Sequence, residues 1–348
     1  MPRKSFKVFV SECRQFMESN PLIIAGSGRS GTTWVLDVLA EANNLRTVFE
    51  PLCRRGVVEA QAFGRRYVRE NSYEPELKRF MDKVFNGQLN SMWTNTRIRL
   101  DKIRPSISKM ASRDYNYTLL SRYKTFLIRY SNYLRKKSFR PITKFIRANL
   151  MLDWLEYNFN PSTIFIVRHP GAVATSKIAA AKSEGGAVWD FNGPNEQRIL
   201  FQYKQDEQLR KDYLDKYYEI FSEKLSPAAG HTLIWCIENM LPIYHRQKRK
   251  RYVFFYEDIV VNPEKEFSRM VKILGLERKP GSSIIARPSQ QASREFRNGS
   301  SGENQMTRWM KNFTQKELGE IDRVLKFFKV TIYNAYEPMP VSRTLDFI

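Results

Sequence analysis

Residues 21–34 read PLIIAGSGRSGTTW, and no other stretch limits the fold as much. A short run of apolar, β-branched residues ends in glycine, and a glycine-rich turn then leads into VLDVLAEANN, whose apolar positions recur at helical spacing. A fully apolar strand of this length is expected in a parallel sheet covered on both faces. RTVFEP (46–51) reads as a second short strand closed by Pro51. Strand, loop, helix and strand in that order open a βαβ unit, so the chain is expected to be an α/β protein.

The turn itself has the Gly-x4-Gly spacing of a phosphate loop from Gly26 to Gly31. At a strand-to-helix turn, unpaired backbone N–H groups and the helix dipole favour an anion. A loop that cleaves ATP or GTP follows its last glycine with lysine and then a hydroxyl that holds magnesium. Here Thr32 and Thr33 follow Gly31, and the cation is Arg29, inside the loop. Thr32 at the lysine position argues against a nucleotide kinase.

Further strands are expected in PITKFIR (141–147), STIFIVRHP (162–170) and RYVFFYED (251–258). Helices are expected between and after them, including a long stretch from Asn195 to Gln247 broken near SPAAGH, and a terminal helix in TQKELGEIDRVLKFF. In the second of these strand regions Arg168 stands at a strand end, Pro170 opens the next element, and Ser176 follows about two helical turns later. Arginine grips a dianion through two parallel donors, and a serine adds a hydroxyl donor.

Charge sets the choice of partners. The 348 residues carry 58 Lys and Arg against 36 Asp and Glu, a formal +22, which favours anionic partners. From Arg54 to Leu150 there are 23 basic and 7 acidic side chains, so this segment holds +16 and the remainder only +6. The segment reads as a helical, basic insertion (about 54–140) within a single domain whose core is 20–53 and 140–330. The three cysteines, Cys13, Cys53 and Cys236, have no metal-ligand spacing and suit a reducing compartment. No window is apolar enough to span a bilayer and the first twenty residues lack a secretion signal's apolar stretch, so a cytoplasmic location is expected unless an N-terminal anchor has been removed.

Taken together, SGRSGTTW and VRHPGAVATS resemble the 5′-phosphosulfate loop and the 3′-phosphate motif of sulfotransferases that use 3′-phosphoadenosine 5′-phosphosulfate (PAPS). His169 departs from the Asp or Asn more common in the second motif. The resemblance extends to YEDIVVNP (256–263) and TRWMKNFTQKE (307–317). It implies a three-layer, P-loop-like sulfotransferase fold around a central parallel sheet of about five strands, with no metal and with 3′,5′-adenosine bisphosphate (PAP) as product. It also implies Arg29 on the leaving group, and Ser30, Gly31, Thr32 and Thr33 around the 5′-phosphate. Arg168 with Ser176 would take the 3′-phosphate, joined by Arg297 and Gly299, with Arg294 a rival to Arg297. Trp34 falls where adenine stacks in cytosolic members, and equally suits a core tryptophan.

Glu50, at the end of the presumed second strand, is delivered to the same sheet edge as the phosphate loop, and resembles the glutamate base of carbohydrate sulfotransferases. Its alternative is a strand-end carboxylate pairing with Arg54 or Arg55. Cytosolic members instead use a histidine after the second strand, and there is none between Met1 and Arg168. Lys144 and Arg147 resemble the Lys-x-x-Arg strand end that lines the acceptor site in carbohydrate sulfotransferases. The expected acceptor is a glycan hydroxyl, with a lipid, small-molecule or peptide hydroxyl as the alternative. The basic insertion suits an anionic acceptor and peripheral membrane contact, and no nucleic-acid partner is expected. A non-catalytic polyanion-binding protein would also account for +22, but would leave two correctly spaced phosphate motifs unused.

Overall fold

A computed structural model describes residues 20–89, 91–96, 141–183, 194–244, 251–287 and 306–344. Five parallel strands form its sheet: β1 (Leu22–Gly26), β2 (Thr47–Phe49), β3 (Ile142–Phe145), β4 (Ser162–Val167) and β5 (Arg251–Phe255), in spatial order β2-β3-β1-β4-β5. All five lie where the apolar runs place them. Side chains alternate between the faces of a strand, so an unbroken apolar strand feeds two cores at once. Ile23, Ala25, Phe165 and Val167 join one core, while Leu22, Ile24, Ile164 and Ile166 join the other.

Two helices, α1 (Thr32–Ala42) and α7 (Pro263–Ile273), supply Val35, Leu36, Leu39, Phe267 and Met270 to the second core. The first core is larger. It takes residues from α2 (Pro75–Phe85), α3 (Leu152–Phe159), α4 (Pro170–Ser183), α5 (Pro194–Gln205), α6 (Pro227–Tyr244) and α8 (Gln315–Phe327). The layers are therefore helix, sheet and helix.

The described part of the basic segment packs into the sheet's own core. Leu77, Phe80, Met81, Val84 and Phe85 of α2 are buried there, together with Val57, Phe63 and Val68. Its second helical run, 117–137, lies outside the described residues.

The long helical stretch divides differently from the expectation. SPAAGH starts α6 rather than breaking it, because Pro227 at the first helical position has no N–H to lose there. The break falls instead at 206–226, where Asp206 caps a short turn by accepting from Leu209 N and irregular turns follow. Inside α6, Pro242 cannot donate to the carbonyl of Glu238. Asn149 Nδ2 donates to that carbonyl instead, at 2.9 Å.

The two sheet edges carry different chemistry. At the N-terminal end of β5, buried Arg251 bonds Glu156, Asp153 and the Pro242 carbonyl in a closed network. The C-terminal edge is where the chain changes direction: β1 lies between β3 and β4, and the connections leave it on opposite sides. Ligands in open α/β sheets bind at such a switch point.

Candidate active site

The loop after β1 closes with Gly31 at φ 85° as the N-cap of α1. No side chain caps this helix, and no acidic residue occupies its first turn. Its first N–H groups and the positive end of its dipole are thus presented to the sheet edge. A Cβ on Gly31 would lie 2.4 Å from Tyr256 Cδ2, and one on Gly26 (φ 155°) would lie 2.4 Å from the Ile166 carbonyl. Glycine is required at both places, since nothing larger fits. Ser30, Thr32 and Thr33 are buried under the loop, with Ser30 Oγ 2.8 Å from Ser27 Oγ. Gly31→Ala should combine a left-handed alanine, worth about 1–2 kcal/mol of strain, with a collision against the Tyr256 ring. Calorimetry is expected to show weaker PAP binding by more than tenfold, and unchanged binding would contradict this account of the loop.

The second motif meets the first directly. Arg29, itself at φ 74°, donates from Nε to Ser176 Oγ at 2.8 Å, and Arg168 Nη1 donates to the Arg29 carbonyl at 3.2 Å. The side chains read from two distant motifs thus form one cluster between the starts of α1 and α4. Arg168 Nε is buried and has no hydrogen-bond partner among the described residues. A buried donor left open in this way costs about 1–3 kcal/mol, so the cluster suits an anion that completes it.

Two residues that hold this cluster were not legible as functional. Tyr256, just after β5, carries the Arg168 guanidinium over its ring at 4.3 Å from the centroid, a cation–π contact, while its edge receives Gly31. Glu257, only 2% exposed, accepts from His169 N at 2.9 Å and from Tyr333 OH at 2.8 Å. Burial pushes its carboxyl above the usual range, with those two donors working against the shift. In the sequence YEDIVVNP stands out only as a stretch that resembles the family. Its roles depend on contacts across β4 and β5 that no local pattern contains.

His169 explains its own departure from the family pattern. It precedes the first residue of α4, and its Nδ1 accepts from Gly171 N at 3.1 Å, the task an Asp or Asn performs at an N-cap. Its Nε2 then carries the proton and donates to the Asn334 carbonyl at 2.8 Å. The ring stacks on Trp309 at 4.1 Å, and Trp309 fills the space a Cβ at Gly171 would need. TRWMKNF is thereby anchored to the second phosphate motif.

Burial holds the His169 imidazole down to about 3, the Arg168 charge adding to the effect and the Asn334 carbonyl opposing it. A histidine depressed in the fold has its stability present above the unfolded pKa of about 6.5 and loses it as pH falls, by about 1.4 kcal/mol per unit, until the folded value is reached. Glu257, raised by burial, works in the opposite direction. Unfolding followed from pH 7 to 4.5 is expected to show a shallower loss in His169→Asn than in the parent, and parallel curves would refute the assignment.

Glu50 lies at φ 47°, two strands from the loop and level with Ala25 through the register of β2, β3 and β1, a lateral separation of about 10 Å. It is 2% exposed. Lys144 Nζ lies 2.8 Å from Oε1, and Arg147 Nη1 donates to Oε2 at 2.8 Å. The carboxylate thus pairs with Lys144 on β3 and with Arg147 just after it, and not with Arg54 or Arg55. Its backbone is fixed as well: Glu50 N donates to the Lys144 carbonyl, and Trp93 Nε1 and Cys53 N donate to the Glu50 carbonyl. Six non-glycine residues among those described have positive φ. Asn44, Asn160 and Lys329 end helices, whereas Arg29, Glu50 and Arg65 stand on the C-terminal side of the sheet, where retained strain points to function.

Trp34 is half-buried. Its Nε1 donates to the Ile285 carbonyl at 3.1 Å, and its ring meets Phe267 and Tyr256 edge-on. Arg297, Gly299 and Arg294 lie outside the described residues. Cys53 and Cys236 are buried free thiols, and burial pushes the Cys236 thiol well up. Among the described residues there is no group of three or more His, Cys, Asp or Glu side chains placed to hold a metal, and no helix long and apolar enough to cross a membrane.

A loop of open N–H donors at the switch point of a parallel sheet, joined by an arginine from the neighbouring strand, is the arrangement of a protein suited to a phosphorylated ligand. Residues 19–326 match the sulfotransferase domain, and the chain belongs to that family of PAPS-dependent enzymes. No curated protein sequence matches the chain. Similar solved structures include the sulfotransferase domain of the curacin biosynthetic pathway (13% identity, TM-score 0.42, covering 89% of this chain and 98% of that one). The sulfotransferase domain of the Synechococcus PCC 7002 olefin synthase is another (14%, 0.43, 91% and 96%). A third is retinol dehydratase in a complex with retinol and PAP (15%, 0.40, 89% and 81%).

Proposed function

We propose that this sulfotransferase transfers the sulfuryl group of PAPS to a saccharide hydroxyl, with Glu50 as general base. The observation that carries the reading is the charge pair and hydrogen bond that hold Glu50 between Lys144 and Arg147, on the sheet edge shared with the phosphate loop. Glu50 Oε1 is buried and meets Lys144 without an aligned hydrogen bond, which supports its accepting the proton of an acceptor hydroxyl.

In this reading the loop from Arg29 to Thr33 and the start of α1 hold the 5′-phosphate, while Arg168 and Ser176 hold the 3′-phosphate. The acceptor oxygen attacks sulfur as its proton passes to Glu50. The bond from sulfur to the bridging oxygen breaks, and the electron pair leaves with the 5′-phosphate of PAP. Arg29 stabilises that developing charge by exchanging its bond to Ser176 for one to the leaving oxygen. Lys144, fixed by Glu50 and set over the Phe49 ring at 4.5 Å, supplies a second cation beside the transferring group.

Labelled PAPS offered with a panel of saccharides, sterols and long-chain alcohols tests the acceptor class. Label appearing in a saccharide is the expected result, and label confined to the apolar alcohols would overturn the carbohydrate reading while leaving the sulfotransferase assignment intact.

A further inference from the structure

Beside Glu50, Arg147 also belongs to a second group of cations whose other members, Arg54 and Arg198, have no part in the chemistry above. Arg54 and Arg147 converge on Gly64: a Cβ placed there would lie 3.7 Å from Arg54 Nε and 3.8 Å from Arg147 Cδ. Arg54 Nη2 donates to the Gly64 carbonyl at 3.0 Å and to Gln202 Oε1 at 3.3 Å. Gln202 lies on α5, and Arg198 stands one turn before it on the same helix face. Arg65, next to Gly64, donates from its backbone to the Arg147 carbonyl at 2.9 Å.

The carboxylates present do not balance this group. Glu50 is shared by Lys144 and Arg147, and Glu238 pairs with Arg65. Among the described residues Arg54 bonds neutral acceptors alone, and neither it nor Arg198 makes an ion pair. Burial lowers the Arg54 guanidinium from its ordinary range, and repulsion from Arg198, Arg65 and Arg147 adds to the shift. Guanidiniums that repel one another are stabilised by an opposite charge placed among them, so the group suits an anionic ligand.

We propose that Arg54, Arg147 and Arg198 form a subsite for an anionic substituent of the acceptor, a carboxylate or an existing sulfate, carried next to the hydroxyl that reaches Glu50. The inference rests on reading the Glu50 edge as the acceptor side. It makes the enzyme one that modifies an already acidic saccharide. Arg147 would join the two places, since its Nη1 holds Glu50 while its stem flanks Gly64.

Matched acceptors, sulfated or uronic-acid oligosaccharides and their desulfated or carboxyl-reduced forms, are assayed with Arg54→Gln, Arg198→Gln and the double variant. The expected result is a tenfold or greater rise in KM for the anionic acceptor in the double variant, with kcat, the KM of the neutral acceptor and PAP binding unchanged. Arg198 is exposed, so its variant remains informative should Arg54→Gln disturb the Gly64 turn. Equal turnover of the two acceptor forms by the parent enzyme overturns the subsite but leaves the saccharide reading standing. Matched pairs of phenols with and without a carboxylate supply the converse arm: preference for the charged phenol, lost in the double variant, with no saccharide turned over, upholds the subsite and overturns the saccharide reading. Should nothing be turned over, heat stability of the PAP-loaded protein is compared with each matched oligosaccharide, and absence of a preference for the anionic form overturns the proposal.

Discussion

Arg168→Ala is expected to weaken PAP binding by roughly 100-fold, about 3 kcal/mol, the range for a charged hydrogen-bonding group removed from its partner. Two contacts and one open donor make the guanidinium central. It donates to the Arg29 carbonyl, lies over the Tyr256 ring, and keeps one buried donor without a partner among the described residues. Arg168→Lys keeps the charge but loses the fork, so it should recover only part of the affinity. Titration calorimetry with PAP decides the matter, because binding of this product nucleotide needs no acceptor. Equal affinity in Arg168→Ala and the parent would remove Arg168 from the donor site. The same variant should also be less heat-stabilised by PAP, since a ligand at 100 times its dissociation constant contributes about 2.7 kcal/mol to the fold that binds it.

Glu50→Gln is expected to lower kcat by roughly 100- to 10,000-fold with PAP affinity retained, the range a positioned general base contributes. Glutamine keeps the shape and one acceptor oxygen, but it cannot take the hydroxyl proton or balance Lys144 and Arg147. Both losses lower kcat, and they differ in what restores it. A base is bypassed by an acceptor whose hydroxyl is already acidic, such as a nitrophenol, so the defect should shrink as the acceptor pKa falls. If Glu50 serves only to hold Lys144, the defect stays constant across that series and Lys144→Ala reproduces it. Unimpaired turnover in Glu50→Gln would sink the base assignment altogether.

Much of this was legible along the chain because the signals are local. LIIAG and STIFIV are strands that both faces bury, so their period and composition reveal them without any neighbour. Gly26, Gly31 and the helix after them read as an anion site because the backbone itself would supply the donors. Glu50 was legible for a similar reason: the residue that ends a parallel strand is delivered to the same edge as every other strand end. Tyr256, Glu257 and the Arg54 group were hidden because each is placed by a contact between segments 88 to 148 residues apart, which no spacing encodes.

The sequence by itself determined the sheet, the phosphate loop, the absence of the kinase lysine and the placing of Arg168 two turns before Ser176, because strand ends and helix starts are fixed by nearest neighbours in the chain. Only the tertiary structure decided what those residues touch. It turned Arg29 onto Ser176, gave Glu50 to Lys144 and Arg147 rather than to the nearby Arg54 and Arg55, and made His169 a buried cap. Strand order is the physical reason: β3 enters beside β2 after more than ninety residues, and its side chains, not those adjacent in sequence, become the neighbours of the glutamate.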